Sequence, residues 1–138
     1  MRIEYKEVHD FKKEDLKELF LSVQWASGLY PERLAAAMKN FETVYSAWDK
    51  DRLVGLVCAL DDGVMTAYIQ FLLVHPEYRH RGIGKALLER VKEKYKDYLR
   101  ISVIIYTDKA EFYEENGFKI PRGTCPVILS RFSRAEDT

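Results

Sequence analysis

The chain has 138 residues, 47% of them hydrophobic and 13% aromatic, which is long enough for one packed core and too apolar for a disordered segment. Twenty-two lysines and arginines balance 22 aspartates and glutamates, so no global field recruits nucleic acid or an anionic membrane. Two cysteines without ligand spacing and three scattered histidines exclude a metal cluster and point to a reducing compartment, with pairing of Cys58 and Cys125 left open.

Residues 2 to 8, with Ile3, Tyr5 and Val8, read as a first strand ended near Asp10, a residue suited to cap the next helix. Leu16, Leu19, Phe20 and Val23 then recur at helical spacing, which predicts a helix over 12–24. The stretch from Trp25 to Tyr30 breaks that pattern. Pro31 suits the first turn of a second helix, with Leu34, Ala37, Met38 and Phe41 on one side. Thr43 to Trp48 alternates as a strand and Asp49 to Asp51 is a hairpin turn. Arg52 to Leu60 is a more continuously apolar strand, in which Gly55 marks either a bulge or a packing gap. After a turn at Asp61, Asp62 and Gly63, Met65 to Val74 is a long strand, and the three strands form an antiparallel meander.

Ile83, Ala86, Leu87, Val91 and Tyr95 predict a helix over 81–95, and Arg100 to Tyr106 reads as a buried strand. Strand, crossover helix and strand make a right-handed unit with its strands parallel. Asp108 to Asn116 is a short helix ended by Gly117, with Asp108 as the N-cap. Phe118 to Ile120 begins a further strand, 121–126 is a loop, Val127 to Phe132 is a last strand, and 133–138 is a frayed tail. The expected architecture is one α/β domain over 1–138.

Chemistry concentrates where the strand ending at Val74 meets the helix. Pro76 stops the strand, and Arg79, Arg81 and Lys85 surround Gly82 and Gly84. The first turn of a helix has amides with no intrahelical partner and carries roughly half a positive charge. Glycines let an anion approach those amides closely. The turn is therefore either an anion cradle or an ordinary basic turn. It is not a dinucleotide fingerprint, since Leu87 stands where a third glycine is needed, and not a phosphate loop, since Ala86 follows Lys85.

The segment from Val74 to Gly84 closely resembles the pyrophosphate-binding motif of the GNAT superfamily of acyl-CoA-dependent N-acyltransferases, Gln/Arg-x-x-Gly-x-Gly/Ala, with Arg79, Gly82 and Gly84 at the defining positions. The segment from Ala110 to Phe118 resembles a second element of that family, Ala-x-x-Leu/Phe-Tyr-x-x-x-Gly-Phe, at a typical distance. The resemblance spans essentially the whole chain. It implies the GNAT fold: a mixed, mostly antiparallel central sheet of roughly six to seven strands with about four flanking helices, and a V-shaped splay between two central parallel strands.

The same resemblance implies acetyl-CoA as cosubstrate and no metal. Leu72, Leu73 and Val74 would pair through their backbone with the pantetheine arm, and Arg79, His80, Arg81, Gly82, Ile83, Gly84 and Lys85 would hold the pyrophosphate. Relatives commonly carry an asparagine before the second motif. Here Thr107 or Asp108 would contact the cofactor arm instead, beside the plainer reading of Asp108 as a cap. Tyr113 takes the position from which these enzymes protonate or hydrogen-bond the departing sulfur. Relatives also carry an acidic residue two or three positions before the equivalent of Val74, and Gln70, Phe71, Leu72 and Leu73 offer none. Three routes to a neutral amine remain: a water relay through Gln70 or Tyr68, a carboxylate such as Glu32 or Glu42, or an acceptor already partly neutral. His75 is a candidate base near pH 7, although a histidine before this proline reads more simply as a surface or structural residue.

Trp25, Tyr30, Tyr68 and Gln70 are the expected acceptor pocket, and the aromatic rings of Trp25, Tyr30, Tyr68 and Phe71 hint at a small primary amine that is apolar or arylalkyl. A protein or peptide acyltransferase and a non-catalytic acyl-CoA-binding sensor are the alternatives. Family members frequently dimerise through late strands, which points to Val127 to Phe132 for a homodimer contact. The N-terminus has no signal-type apolar core and no apolar run reaches membrane-spanning length, so the expectation is a soluble, cytoplasmic protein with neither nucleic-acid nor membrane partners.

Overall fold

Two amphipathic helices follow a short first strand, and in the computed structural model, which describes residues 2–132, both lie on one face of the sheet. Helix α1 (Lys13–Ser22) buries Leu16, Leu19 and Phe20, and α2 (Pro31–Asn40) buries Leu34 and Met38. Pro31 opens α2 as its spacing predicts. Asp10 does not cap α1: the N-cap is Lys12, without a side-chain bond, and Asp10 instead lies 3.8 Å from Lys39. A single 3-10 turn, Ala26–Leu29, joins the two helices.

Strands β1 (Glu4–Lys6), β2 (Thr43–Asp49), β3 (Arg52–Asp61), β4 (Thr66–Val74) and β5 (Arg100–Val103) form one sheet in sequence order. The first four are antiparallel and β5 is parallel to β4, as a helical crossover requires. That crossover is α3 (Ile83–Lys94), followed by the short α4 (Ala110–Glu115). Together they cover the face opposite α1 and α2, with Leu87, Leu88, Val91 and Tyr113 in its core.

Helix α3 is pinned at both ends. At its start Ile83 packs so closely on Gly55 that a Cβ there would stand 2.9 Å from Ile83 Cγ2, and the β2–β3 register slips beside the same glycine. Val54 is the extra residue of that bulge, and Gly55 beside it leaves room for the close approach of α3. Just past its end the Tyr95 hydroxyl lies between Thr43 and Asp61, donating to the Asp61 carboxylate at 2.7 Å.

Among the described residues the sheet has five strands, not six or seven. The segments expected as later strands, 118–120 and 127–132, form no ladder, and Val127, Ile128 and Leu129 are 91%, 63% and 75% exposed. Strand propensity needs a hydrogen-bonded neighbour, and the outer edge that β5 offers is only 4 residues long. Nor does β5 reach Tyr106 as its apolar run suggests, because its pairing with β4 ends at Val103. The expected tail, 133–138, lies outside the described residues.

The β3–β4 turn has a pH signature of its own. Asp62 accepts the amides of Met65, Val64 and Thr66 at 2.7, 2.8 and 3.1 Å, and these bonds hold its carboxyl down at about 2. A depressed carboxyl stabilises the fold above its unfolded value of about 3.9 and loses that contribution as pH falls through the folded value. Melting temperatures of the protein should therefore decline more steeply than those of Asp62→Asn between about pH 4 and pH 2. Parallel acid profiles would show that the turn contributes nothing.

Candidate active site

The site starts from a mismatch in strand pairing. Parallel pairing of β4 with β5 runs Thr66 to Arg100, Ala67 to Ile101, Tyr68 to Ser102 and Ile69 to Val103, and then stops. From Gln70 to Val74 the β4 edge has no strand beside it among the described residues, so the two strands open into a V. Backbone donors and acceptors along that edge are left for an extended ligand.

A second irregularity sits at the same point. The β3–β4 register passes from Cys58 opposite Phe71 to Ala59 opposite Ile69, which leaves Gln70 as the extra residue of a bulge. Bulging reverses the facing of the strand. Ala67 and Ile69 lie in the core on the α3 side, whereas Phe71 and Leu73 lie in the core under α1 and α2. Gln70 itself is exposed.

At the carboxyl end of β4 the chain turns through Pro76–Tyr78 into α3. His80 (φ 64°) and Gly82 (φ 77°) both adopt the left-handed conformation that curls this turn, and Gly82 is the N-cap of α3 with no side-chain bond. The Ala86 amide is bonded back to the Gly82 carbonyl at 3.0 Å, so the preceding amides of Ile83, Gly84 and Lys85 have no acceptor within the helix. A Cβ on Gly82 would meet nothing within 4 Å, and one on Gly84 would be in ordinary contact with Phe112 and Val74 at 3.6 and 3.7 Å. Arg79, His80, Arg81 and Lys85 are exposed around this open helix start. Arg81 lies over the Tyr78 ring, 5.3 Å from its centroid. The donors, the open space and the cations suit a pyrophosphate.

His75 has a structural place. It is 92% buried, its Nε2 is 3.2 Å from the Arg52 guanidinium, and Arg52 also bonds Glu18 and Glu77 at 2.9 and 3.0 Å. Asp108 is not the cap of α4. It falls in the 3-10 turn Thr107–Lys109, exposed, and Lys109 is the N-cap without a side-chain bond.

Tyr113 is buried on the α3 side of the V. It belongs to the apolar cluster that includes Ile69, with Leu72, Val103 and Ile105 packed against it. Its ring is held edge-on between Phe112 at 5.2 Å and Phe118 at 5.5 Å. The C-terminal turn of α4 sets this geometry: the Phe118 amide bonds the Tyr113 carbonyl at 3.0 Å and the Gly117 amide bonds that of Glu114 at 3.2 Å, with Gly117 at φ 92°. That pair of bonds is a Schellman cap, and its left-handed residue is the reason for the glycine. Burial pushes the Tyr113 hydroxyl up to about 12, so it is fully protonated at neutral pH.

On the α1–α2 side of the V lies a groove of about 860 Å³. Its apolar wall includes Tyr30, Phe41, Phe71 and Phe132, and its polar groups include Arg33, Asn40, Gln70 and Arg131. Tyr30 and Phe132 meet edge-on at 5.6 Å, which brings the end of the described chain back over α2. Of the expected pocket residues, Tyr30 and Gln70 line this groove. Trp25 backs it instead, tilted on Phe71 at 6.1 Å and on Tyr106 at 6.4 Å, and Tyr68 stands beside it on β4, opposite the lining residue Leu60.

Among the described residues no aspartate or glutamate lines the groove. Glu32 faces the other side of α2, 3.4 Å from Lys13, and its carboxyl is held below the usual range by its own backbone amide and by Lys13. Sequence reasoning missed Arg33, Asn40 and Phe41, although their helical spacing puts them near one stripe of α2, and it missed Arg131 and Phe132, which no local pattern marks. Among the described residues no group of three or more His, Cys, Asp or Glu side chains is placed to hold a metal ion.

Comparison with known proteins falls on the same elements. A family model described as an acetyltransferase (GNAT) domain matches residues 40–120, which take in the V, the α3 cradle and Tyr113. An uncharacterized ycf52-like N-acetyltransferase of Prochlorococcus marinus is 29% identical across 79% of this chain and 64% of its own length. The histone acetyltransferase TAP1 of Glycine max is 31% identical across 76% of this chain and 51% of its own length. The chain thus spans between 51% and 64% of these two curated relatives. Among solved structures, a GNAT family acetyltransferase from Streptococcus pneumoniae aligns with TM-score 0.80 and 27% identity, over 94% of this chain and 99% of that one. The PaiA N-acetyltransferase of Thermoplasma acidophilum, in complex with coenzyme A, shares the fold at TM-score 0.69 and 22% identity, over 90% and 94% of the two chains.

Proposed function

The chain belongs to the GNAT acetyltransferase family, and from that premise we propose that residues 1–138 work as one domain that transfers an acetyl group from acetyl-CoA to a small primary amine. The observation that carries this reading is a coincidence of position. The unpaired edge of β4 from Gln70 to Val74 leads directly into an uncapped, cation-ringed helix start at Gly82. An extended arm joined to a pyrophosphate, as the pantetheine of coenzyme A is, fits both at once.

Bound acetyl-CoA supplies an acyl group activated as a thioester. The β4 edge at Leu72, Leu73 and Val74 holds the extended arm, and the amides of Ile83, Gly84 and Lys85 with the neighbouring cations hold the phosphates. A β4 backbone amide near the bulge donates to the acyl oxygen as negative charge builds there. Tyr113 donates a hydrogen bond to the sulfur as it leaves. Since its hydroxyl is held near 12 and a thiol of the cysteine type near 8.5, the phenol keeps its proton opposite the thiolate and acts as a hydrogen-bond donor rather than a full proton source.

The acceptor approaches from the α1–α2 groove, where Gln70 exposes its amide. Among the described residues no carboxylate lines that groove, so a local acidic base is not part of this reading. The acceptor attacks as the neutral amine, and the proton its nitrogen loses passes to water while the coenzyme leaves as the thiolate. A cytoplasmic location accords with the free thiols Cys58 and Cys125, and the exposed segment Val127 to Leu129 is the surface to examine for a homodimer.

Release of coenzyme thiol from acetyl-CoA, followed across a panel of amines and confirmed by product mass, tests the reading. Amine-dependent turnover is the expected result. Thermal stabilisation by acetyl-CoA with no turnover on any amine or peptide would replace it with a sensor.

A further inference from the structure

We propose that the acceptor carries an anionic group, a carboxylate in the simplest case, on an apolar or aromatic body, and that Arg33 and Arg131 hold that group while the amine faces Gln70. This inference rests on the acetyl-transfer reading and names the class of acceptor for the same groove.

The first observation is charge. Among the described residues the groove is lined by two arginines and by no acidic side chain, in a chain whose total charges balance. Among the same residues no carboxylate lies within ion-pair distance of either guanidinium. Elsewhere on the surface Lys13, Lys92 and Lys96 each have such a partner.

Helix α2 also sorts its charges by face. Arg33 turns to the groove with Ala37 and Asn40, at helical spacing, whereas Glu32 and Lys39 line the opposite side with Asp10 and Lys13. A groove meant for a polycation would gain from the reverse arrangement, since acceptor amines arrive protonated and like charges repel. Two forked donors with no counter-ion among the described residues are suited to a carboxylate, which they bind in paired hydrogen bonds.

The second observation is the wall. Phe41 meets Phe71 at 6.3 Å and Tyr30 meets Phe132 at 5.6 Å, so four aromatic rings line the same groove as the two arginines and Gln70. Such a wall favours a ring or a branched apolar body over a hydrophilic chain.

Matched acceptors that differ only by the anion provide the test: tyrosine against tyramine, tryptophan against tryptamine, and 4-(aminomethyl)benzoate against benzylamine. In at least one pair the acid should be preferred by about 10-fold or more in kcat/KM, the scale of one charge-assisted hydrogen bond. The preference should fall toward parity in Arg33→Gln with Arg131→Gln. Equal or better use of the plain amines or of a lysine-rich peptide overturns the inference and leaves acetyl transfer standing, as does an acid preference that survives the double substitution. Binding of the same pairs to the CoA-loaded protein, measured by calorimetry, separates the remaining cases. Carboxylate-dependent binding that the double substitution abolishes, with no turnover on any acceptor, supports the anion site and ends the transfer reading. Absence of both overturns both.

Discussion

Replacing Gly82 by valine is expected to weaken coenzyme A binding by about 10- to 100-fold, the equivalent of one charge-assisted hydrogen bond lost. Two effects add at this position. Gly82 has φ 77°, a conformation that costs a β-branched residue about 1–2 kcal/mol, so the turn relaxes and the amides of Ile83 to Lys85 lose their common aim. The valine side chain also occupies space beside the helix start that the protein leaves open, with nothing within 4 Å of a Cβ.

Gly63 is the control, because it has φ 80° and equally open surroundings in the β3–β4 turn, away from the cradle. Gly63→Val should lower the melting temperature through the same strain and leave coenzyme A affinity unchanged. Calorimetric titration of both variants with coenzyme A decides the matter. If Gly63→Val weakens binding as much as Gly82→Val, the anion cradle is not at α3.

Tyr113→Phe is expected to lower kcat by about 10- to 100-fold while acetyl-CoA affinity stays near wild type. The substitution keeps the ring between Phe112 and Phe118 and removes only the hydroxyl, which makes no hydrogen bond among the described residues. A donor free in the resting protein is available to the sulfur, where negative charge appears only as the bond breaks. Because burial holds the hydroxyl near 12, the rate should show no alkaline loss at the ordinary phenol value of about 10 that the Phe variant lacks. Equal losses in kcat and in acetyl-CoA affinity would remove Tyr113 from the departing sulfur and return it to packing.

The elements that the sequence made legible are those governed by neighbours in the chain. Leu16, Leu19 and Phe20, then Leu34 and Met38, mark two helices because one face of a helix repeats every 3 to 4 residues. Gly82 and Gly117 mark turns because left-handed backbone is inexpensive only without a Cβ. The short β1, the missing late strands and the early end of β5 were not legible in this way. Apolar residues at 101–106 and 127–129 have the composition of strands, and only the presence of a hydrogen-bonding neighbour decides whether they become one. The bulge at Gln70 was hidden for a related reason. Residues 67–74 form an almost continuous apolar run, so alternation gives no sign that facing reverses in the middle.

By itself the sequence determined a three-stranded meander, a crossover unit and a basic, glycine-bearing helix start. Each of these follows from short-range periodicity, turn chemistry and the helix dipole. Tertiary structure alone decided that β4 parts from β5 after Ile69, that Phe71 turns to the other face, and that Arg33 and Arg131 line one groove with no acid among its described lining residues. Those outcomes join residues far apart in the chain. They depend on which backbone edges find partners and which charges are brought together on folding, and no local pattern records either.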